Sequence, residues 1–354
     1  MEYSTTQDDN QTNFTHHKMD KLHHLWHKGL ELFGCEYAIL GGAMSWISER
    51  NLVASLSNAG GFGVIACGSM PPHLLEVEIE ATKLLTNKPF GVNIILMHPQ
   101  LDELIEICRK CSVTHVVLAG GIPKGSTIAH IKQFAKAICF APSLAIGQKL
   151  VKLGADALVI EGSEAGGHIG SVSTSVLAQE ILPNIREVPV IVAGGIGRGE
   201  TIATYLQMGA AAVQLGTRFV CASECIAHDN FKQLFIKSSA RDATSSVQFD
   251  PDFPVIPVRA ITNKATDDFA RTQVEVIAQY RGGELDKKAA QLKIEHFWAG
   301  ALRKAVIDGD VENGSVMAGQ SVGMVQQIEP IQTIMTELLS QACDFLEQGE
   351  KWAA

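Results

Sequence analysis

Eight short apolar runs recur between residues 36 and 217, and segments with a helical pattern separate them. The runs follow one another at intervals of roughly 20–33 residues, as strand–helix units require. Nearly every residue within a run is apolar, which indicates strands buried on both faces and therefore a parallel sheet. The eight runs are YAILGG, FGVIACG, FGVNIIL, HVVLAGG, AICFAP, DALVIEG, PVIVAGG and AAVQLGT.

Eight strand–helix units close naturally into a barrel, so we predict an α/β protein with a TIM-type (β/α)8 barrel. The alternative is an open, doubly wound sheet, which needs a fingerprint glycine loop after its first strand. The residues at that point are GGAMSW (41–46), and they do not match G-x-G-x-x-G. The barrel is therefore the preferred interpretation.

The regular alternation ends near residue 236, and this change predicts the domain organisation. A turn-rich segment with three prolines follows the last strand, and two helical stretches come after it. We predict a small, mainly helical lid domain inserted near the C-terminus. The predicted parts are a polar N-terminal arm (1–28), the barrel (29–236), a lid or substrate subdomain (237–320) and a C-terminal helix that returns to the barrel (321–354).

Composition excludes several other classes of protein. The net charge of −9 and the isoelectric point near 5.7 argue against a nucleic-acid partner or an anionic membrane surface. No apolar run reaches the length of a membrane span, and the polar N-terminus lacks a signal-peptide core, so we expect a cytoplasmic protein. The eight cysteines are scattered and predict neither a disulfide scaffold nor a metal site.

Glycines and polar residues follow most of the predicted strands at one end. Active sites of barrel enzymes lie at the carboxyl ends of the strands. Glycine also lets the backbone approach a flat or phosphorylated ligand closely. The residues at these ends are Gly41–Met44, Asn93, Ala119–Gly121, Glu161–Gly162, Gly194–Gly195 and Gly216–Thr217.

The seventh and eighth units carry the most specific signal. Loops after these two strands, together with a helix N-terminus, form the usual phosphate site of this fold. We predict that Gly194, Gly195, Gly216 and Thr217 donate backbone amides to a phosphate and that Thr217 adds its hydroxyl. The alternative is that the glycines serve only tight turns. Arg218 either adds charge to this site or faces the outer ring of helices.

A phosphate at this place and a glycine-lined floor at the first strand favour flavin mononucleotide (FMN) as the ligand. Asn93 ends the GVN of the third run, where it can hydrogen-bond the edge of the isoalloxazine ring or cap the next helix. Glu161 ends the sixth run, where it can accept hydrogen bonds from ribityl hydroxyls or a ring N–H group.

Seven motifs together resemble the flavin-dependent nitronate monooxygenase (2-nitropropane dioxygenase-like) superfamily. Within it, the chain is most similar to the FabK-type enoyl-[acyl-carrier-protein] reductases, and the resemblance covers residues 36–348. The motifs, in order, are GGAMSW, SNAGGFGVI, KPFGVNIIL, ADALVIEGSEAGGHIG, VPVIVAGGI, VQLGTRF and GSVMAGQSVG.

The resemblance implies a homodimer that binds FMN and reduces enoyl thioesters, carried by acyl carrier protein, with NADH or NADPH in fatty acid synthesis. His168 matches the active-site histidine of the family, and Ser315 and Met317 approach the flavin side. The FMN contacts that it implies are Gly42, Met44, Asn93, Glu161, Gly166, Gly195, Gln214, Gly216 and Thr217.

Three functions remain open from the sequence. In enoyl reduction, His168 gives a proton to the substrate or polarises its thioester oxygen. In nitronate oxidation, the same histidine abstracts a proton. The third alternative is a flavin-binding barrel without catalysis, with His168 tying its loop to Glu164 or a carbonyl group.

Two further comparisons with the family bear on this choice. Nitronate-oxidising relatives usually have glutamine at the position of Glu161, which favours the reductase. The fourth strand is followed by LAGGIPKG (118–125), whereas reductase relatives tend to have GAGNP, so the loop is reshaped and the substrate or cofactor specificity near it stays open.

Overall fold

The computed structural model describes residues 6–68, 70–253 and 255–353. Residues 1–5 of the predicted arm lie outside this part. Each of the eight apolar runs contributes one parallel strand, and a two-residue strand lies between the sixth and seventh. The first nine strands are β1 (Ile39–Gly41), β2 (Gly63–Ala66), β3 (Phe90–Ile95), β4 (His115–Ala119), β5 (Lys136–Phe140), β6 (Ala157–Glu161), β7 (Gly167–His168), β8 (Val190–Ala193) and β9 (Ala212–Leu215).

The eight parallel strands form a barrel, which confirms the predicted fold. Their order is β1-β9-β8-β6-β5-β4-β3-β2. The gap between β2 and β1 is bridged by Phe62, whose amide donates to the Ile39 carbonyl at 3.0 Å and whose carbonyl accepts from the Gly41 amide at 2.9 Å. Residues of β2, β8 and β9 are all buried, as the continuous apolar runs predicted.

Helices surround the barrel and follow its strands. Side-chain caps fix several of their starts: Glu49 accepts from the Asn51 and Leu52 amides, and Ser143 accepts from the Ile146 amide. The helices are α1 (Thr6–Phe33), α2 (Arg50–Asn58), α3 (Pro72–Leu85), α4 (Leu101–Lys110), α5 (Gly125–Ile131), α6 (Leu144–Lys152), α7 (Thr174–Ile181), α8 (Gly199–Gln207), α9 (Thr217–Val220), α10 (Asp229–Lys237), α11 (Lys264–Arg281), α12 (Lys287–Val306) and α13 (Ile331–Ala353).

The last helix packs closely on the barrel. A Cβ atom added to Gly199 at the start of α8 would lie 2.0 Å from the Leu338 carbonyl oxygen in α13, so only glycine allows this approach. The Gly199 amide also donates to the Gln341 side chain at 2.8 Å. None of the described helices is long and apolar enough to cross a membrane.

The segment between α10 and α13 forms a lid with a core of its own. Phe253, Phe269 and Trp298 are buried in that core, where α11 packs against α12. Two strands, β10 (Ala243–Ser245) and β11 (Val258–Ile261), accompany these helices. The strand β11 pairs antiparallel with both β10 and β7, so the lid is hydrogen-bonded to a loop of the barrel.

Candidate active site

A cavity of about 390 Å³ lies at the carboxyl ends of the barrel strands, beneath the lid. It brings together all but one of the residues that were predicted to be catalytic or to bind FMN. Those in its lining are Gly42, Met44, Asn93, Glu161, Gly166, His168, Gly194, Gly195, Gln214, Gly216, Thr217 and Met317. Ser315 is the exception: it is 1% exposed, lies outside the lining, and its amide donates to the Ala301 carbonyl of α12 at 2.8 Å.

The turn after β1 forms one side of the floor. The Ser48 hydroxyl donates to the Gly42 carbonyl at 2.8 Å and accepts from the Met44 amide at 3.0 Å. A Cβ atom added to Gly42 would lie 3.4 Å from the Gln214 side-chain nitrogen. These contacts fix the turn and keep its backbone close to Gln214 on the neighbouring strand β9.

The turns after β8 and β9 form the region predicted to bind phosphate. Gly194 and Gly195 have φ values of +93° and +73°, a left-handed conformation that favours glycine. The Thr217 hydroxyl accepts from the Gly319 amide at 2.9 Å, so it also anchors the C-terminal glycine loop. The turns thus place backbone amides and one hydroxyl at the cavity wall.

Arg218 does not belong to this region. Its guanidinium is buried and contacts Glu329 at 2.8 Å and Glu337 at 2.6 Å. Glu337 lies in α13, so Arg218 faces the outer helices, which is one of the two orientations that the sequence left open.

Asn93 on β3 and Glu161 on β6 line two other parts of the cavity wall, and Glu161 pairs with Ala193 just before the Gly194 turn. The Asn93 side-chain nitrogen donates to the Val117 carbonyl of β4 at 3.1 Å, and the strand β3 continues for two more residues. The next helix, α4, begins only at Leu101, so Asn93 does not cap it. The Asn93 amide oxygen is left for a ligand.

The Glu161 carboxyl makes no side-chain hydrogen bond with any described residue. Burial in the cavity wall raises its pKa to about 7, because an apolar environment disfavours the charged form. A half-buried carboxyl without a protein partner is a ready acceptor or, when protonated, a donor for a bound ligand.

The loop between β6 and α7 carries His168 at the mouth of the cavity. The Glu164 carboxylate accepts from the Thr174 amide at 2.8 Å and from the Thr174 hydroxyl at 3.0 Å. His168 is exposed, and it pairs with Val258 through the contact of β7 with β11. The Ile169 amide also donates to the Pro257 carbonyl at 2.9 Å.

Sequence reasoning missed the lid residues that complete this site. Ile256 and Leu302 line the cavity, and Arg259 donates to the Ser163 carbonyl at 2.8 Å. The β-branched residues in PVIPVRAI (254–261) are a strand signal, but its prolines favoured an irregular segment. Among the described residues, no group of three or more His, Cys, Asp or Glu could hold a metal ion, and none of the eight cysteines forms a disulfide.

Comparisons with known proteins agree with this arrangement. Residues 28–120 and 104–341 match the sequence profile of a family described as nitronate monooxygenase. FabK from Thermotoga maritima superimposes with a TM-score of 0.81 and 33% identity, covering 91% of this chain and 98% of that one.

Two curated proteins show that similar chains differ in chemistry. One is (3aS,4S,5R,7aS)-5-hydroxy-7a-methyl-1-oxo-octahydro-1H-indene-4-carboxyl-CoA dehydrogenase of Rhodococcus jostii (strain RHA1), 28% identical over 340 residues, or 88% of this chain and 94% of that protein. The other is a probable nitronate monooxygenase of Staphylococcus aureus (strain JH9), 28% identical over 366 residues, or 90% of this chain and 98% of that protein.

Proposed function

Because this chain belongs to the nitronate monooxygenase family of oxidoreductases, we propose that it is an FMN-dependent enoyl reductase of the FabK type. Its substrate is an enoyl thioester on acyl carrier protein, and its reductant is NADH or NADPH. The observation that carries this proposal is the similarity to FabK, at 33% identity over 91% of the chain.

The residues of the cavity fit a flavin. The volume of about 390 Å³ lies in the range of small-molecule sites. Asn93, Glu161 and Gln214 present polar groups to the cavity that can meet the hydrogen-bonding edge of an isoalloxazine ring. The turns at Gly194 and Gly216 present amides for the phosphate.

A bound FMN supplies hydride transfer from the nicotinamide to the enoyl double bond. The protein orients the substrate and supplies the proton. His168 is placed at the cavity mouth, where an imidazolium can protonate the substrate α-carbon or hydrogen-bond the thioester oxygen. Gly167 beside it is in contact with Met317, since an added Cβ would lie 3.5 Å from the Met317 sulfur.

Apolar side chains surround the outer part of the cavity and suit an acyl chain. Ile256 and Leu302 from the lid and Met97 from the loop after β3 belong to its lining. Met97 is 62% exposed and Ile256 is 46% exposed, so these residues border the opening. Contact with an acyl chain would remove this apolar surface from water.

Nitronate oxidation is the second candidate function. The similarity to the Staphylococcus aureus protein, which covers 90% of this chain, favours it. In that reaction His168 takes a proton from the substrate instead of giving one. The two functions thus use the same residue in opposite directions.

Anaerobic reduction followed by a panel of electron acceptors tests the proposal. We expect NADH or NADPH to bleach the yellow protein and a crotonyl thioester to restore its colour. Oxygen consumption on addition of an alkyl nitronate to the oxidised protein, with no response to the thioester, would show that the second function is the correct one. A protein that never takes up FMN would contradict both.

A further inference from the structure

Trp46 has an unusual backbone conformation at the rim of the cavity. Its φ is +67°, and the only other non-glycine residue with a positive φ in the described part of the chain is Ser112. A bulky residue adopts this conformation only when its surroundings enforce it, and such residues cluster at functional sites. The bonds between Ser48 and the Gly42 and Met44 backbone enforce it here.

The side chain of Trp46 is 40% exposed, although a tryptophan ring is normally well buried. Its neighbours Ser45 and Ile47 line the cavity. The fixed turn therefore holds a large aromatic surface in solvent, directly beside the opening.

Arg303 of the lid lies against this ring. Its guanidinium carbon is 5.8 Å from the ring centroid, and its neighbour Leu302 lines the cavity from the lid side. The ring and the guanidinium thus face each other across the rim, one from the barrel and one from the lid.

The Arg303 guanidinium can donate more hydrogen bonds than its protein contacts use. In the described part of the chain its only polar side-chain partner is Asp308, which accepts from one guanidinium nitrogen at 3.1 and 3.2 Å. Both side chains of this pair are about half exposed, and such ion pairs are weak. An arginine of this kind can exchange its partner for a phosphate, which it binds through two parallel bonds.

We propose that Trp46 and Arg303 form a binding platform for an adenine nucleotide at the rim of the cavity. The adenine ring stacks on the exposed surface of Trp46, and a phosphate pairs with Arg303. Stacking on tryptophan and charge pairing with arginine are the two interactions that proteins combine to hold nucleotides.

Two sources can supply this chemistry. One is the adenosine half of the nicotinamide dinucleotide, the reductant of the proposed reaction, and the other is the adenosine end of coenzyme A, which can carry an acyl thioester in place of acyl carrier protein. The assignment of the bound nucleotide to a reactant rests on the proposed function. Binding at the platform itself does not require turnover.

Calorimetric titration of the FMN-loaded protein tests the platform with two pairs of ligands. One pair is NAD⁺ and nicotinamide mononucleotide, and the other is coenzyme A and pantetheine. We expect the adenine-containing member of one pair to bind at least tenfold more tightly than its partner. The pair that shows this difference identifies the source of the nucleotide.

Variants test whether Trp46 and Arg303 cause this difference in affinity. Trp46→Leu and Arg303→Met should each weaken the adenine-containing ligand about tenfold and leave its adenine-free partner unchanged, whereas Trp46→Phe should retain most of the affinity. Arg271→Met, which removes an exposed arginine paired with Asp268 in α11, is the matched control and should change nothing.

Two results would overturn the platform. One is the absence of an adenine preference in both pairs of ligands. The other is an equal loss of affinity for adenine-containing and adenine-free ligands in the Trp46 and Arg303 variants. That result would mean that the contact only joins the barrel to the lid. Nucleotide binding without thioester reduction would instead contradict the proposed function and leave the platform intact.

Discussion

The barrel side and the lid side of the cavity are built in different ways. On the barrel side, Asn93 and Gln214 are buried and lie on strands paired with neighbours on both edges. On the lid side, Ile256 is 46% exposed, and the His168 loop is joined to the lid by the two residue pairs of β7 and β11. The barrel side is therefore preformed, and the lid side depends on a contact between two parts of the chain.

This difference predicts separate roles for the barrel side and the lid side. The lid has its own buried core around Phe269 and Trp298, so it can stay folded while its contact with the barrel changes. Its strand β11 pairs with β7, which contains His168, so such a change would reach His168 first. We expect substitutions on the barrel side to affect FMN binding and those on the lid side to affect turnover.

The largest effect is expected for Gly194→Ala on the barrel side. An alanine at φ +93° is strained, and its Cβ would lie 3.1 Å from the Gly162 backbone and the Thr174 hydroxyl. We expect the turn to shift and FMN affinity to fall about a hundredfold, or about 2.7 kcal/mol.

Visible absorbance after dialysis measures this loss, and turnover should fall with flavin content. Gly209→Ala is the matched control, because Gly209 has φ +105° but no atom within 4 Å of an added Cβ. Equal flavin content in the two variants would contradict a preformed phosphate site at the Gly194 turn.

His168→Ala on the lid side is expected to separate chemistry from cofactor binding. Loss of a proton donor usually lowers a rate by about 100-fold or more, so turnover should fall that far with flavin content unchanged. His130→Ala removes a histidine that contacts Glu106 on the surface and serves as the control. Full turnover of the His168 variant would make that residue structural.

Arg259→Met tests whether the lid positions the His168 loop. Arg259 donates to the Ser163 carbonyl and to the Ala243 carbonyl, at 2.8 and 2.5 Å, and so ties the loop to the lid. We expect kcat to fall about tenfold at unchanged flavin content, because the proton donor is less well placed.

Lysine at position 259 should restore part of the rate, since it can reach one of the two carbonyls. Arg241→Met, at an exposed arginine in the same part of the lid, should have no effect. A change in KM alone, with kcat retained, would show that Arg259 does not position the reacting group.

Glu161→Gln should alter only the pH dependence of stability in the flavin-free protein. The pKa of Glu161 is about 7 in the folded state and near its ordinary value of 4.5 in the unfolded chain. Between these values the folded state binds an extra proton, so the free energy of unfolding falls as pH rises, by about 1–3 kcal/mol.

Glutamine does not titrate, so the variant should lose this part of the slope in denaturant titrations between pH 4.5 and 7. Glu180→Gln, at an exposed position in α7, should keep the slope. An unchanged slope in the Glu161 variant would mean that its carboxyl is well solvated or paired.

The barrel and most of its site were predictable because they follow from local patterns. Buried parallel strands are continuous apolar runs, and the fold places the ends of all these strands at one rim. Glycines at the Gly194 and Gly216 turns could therefore be assigned to a shared site before their distances were known.

The lid side could not be predicted in this way. The pairing of His168 with Val258 joins residues ninety positions apart through strands too short to leave a periodic pattern. The orientation of Arg218 depends on Glu329 and Glu337, more than a hundred positions later. Ser315 was placed at the flavin by its motif, but the bond of its amide to Ala301 holds it outside the cavity lining.

Hydrogen–deuterium exchange tests the division between the two sides most directly. It is measured on the flavin-free protein, on the FMN complex and on the FMN complex with a saturated acyl thioester. We predict that FMN alone protects the amides of 194–195 and 214–217, and that 164–170 and 256–259 become protected only when the thioester is added. Equal protection of both sets of amides by FMN alone would contradict the division.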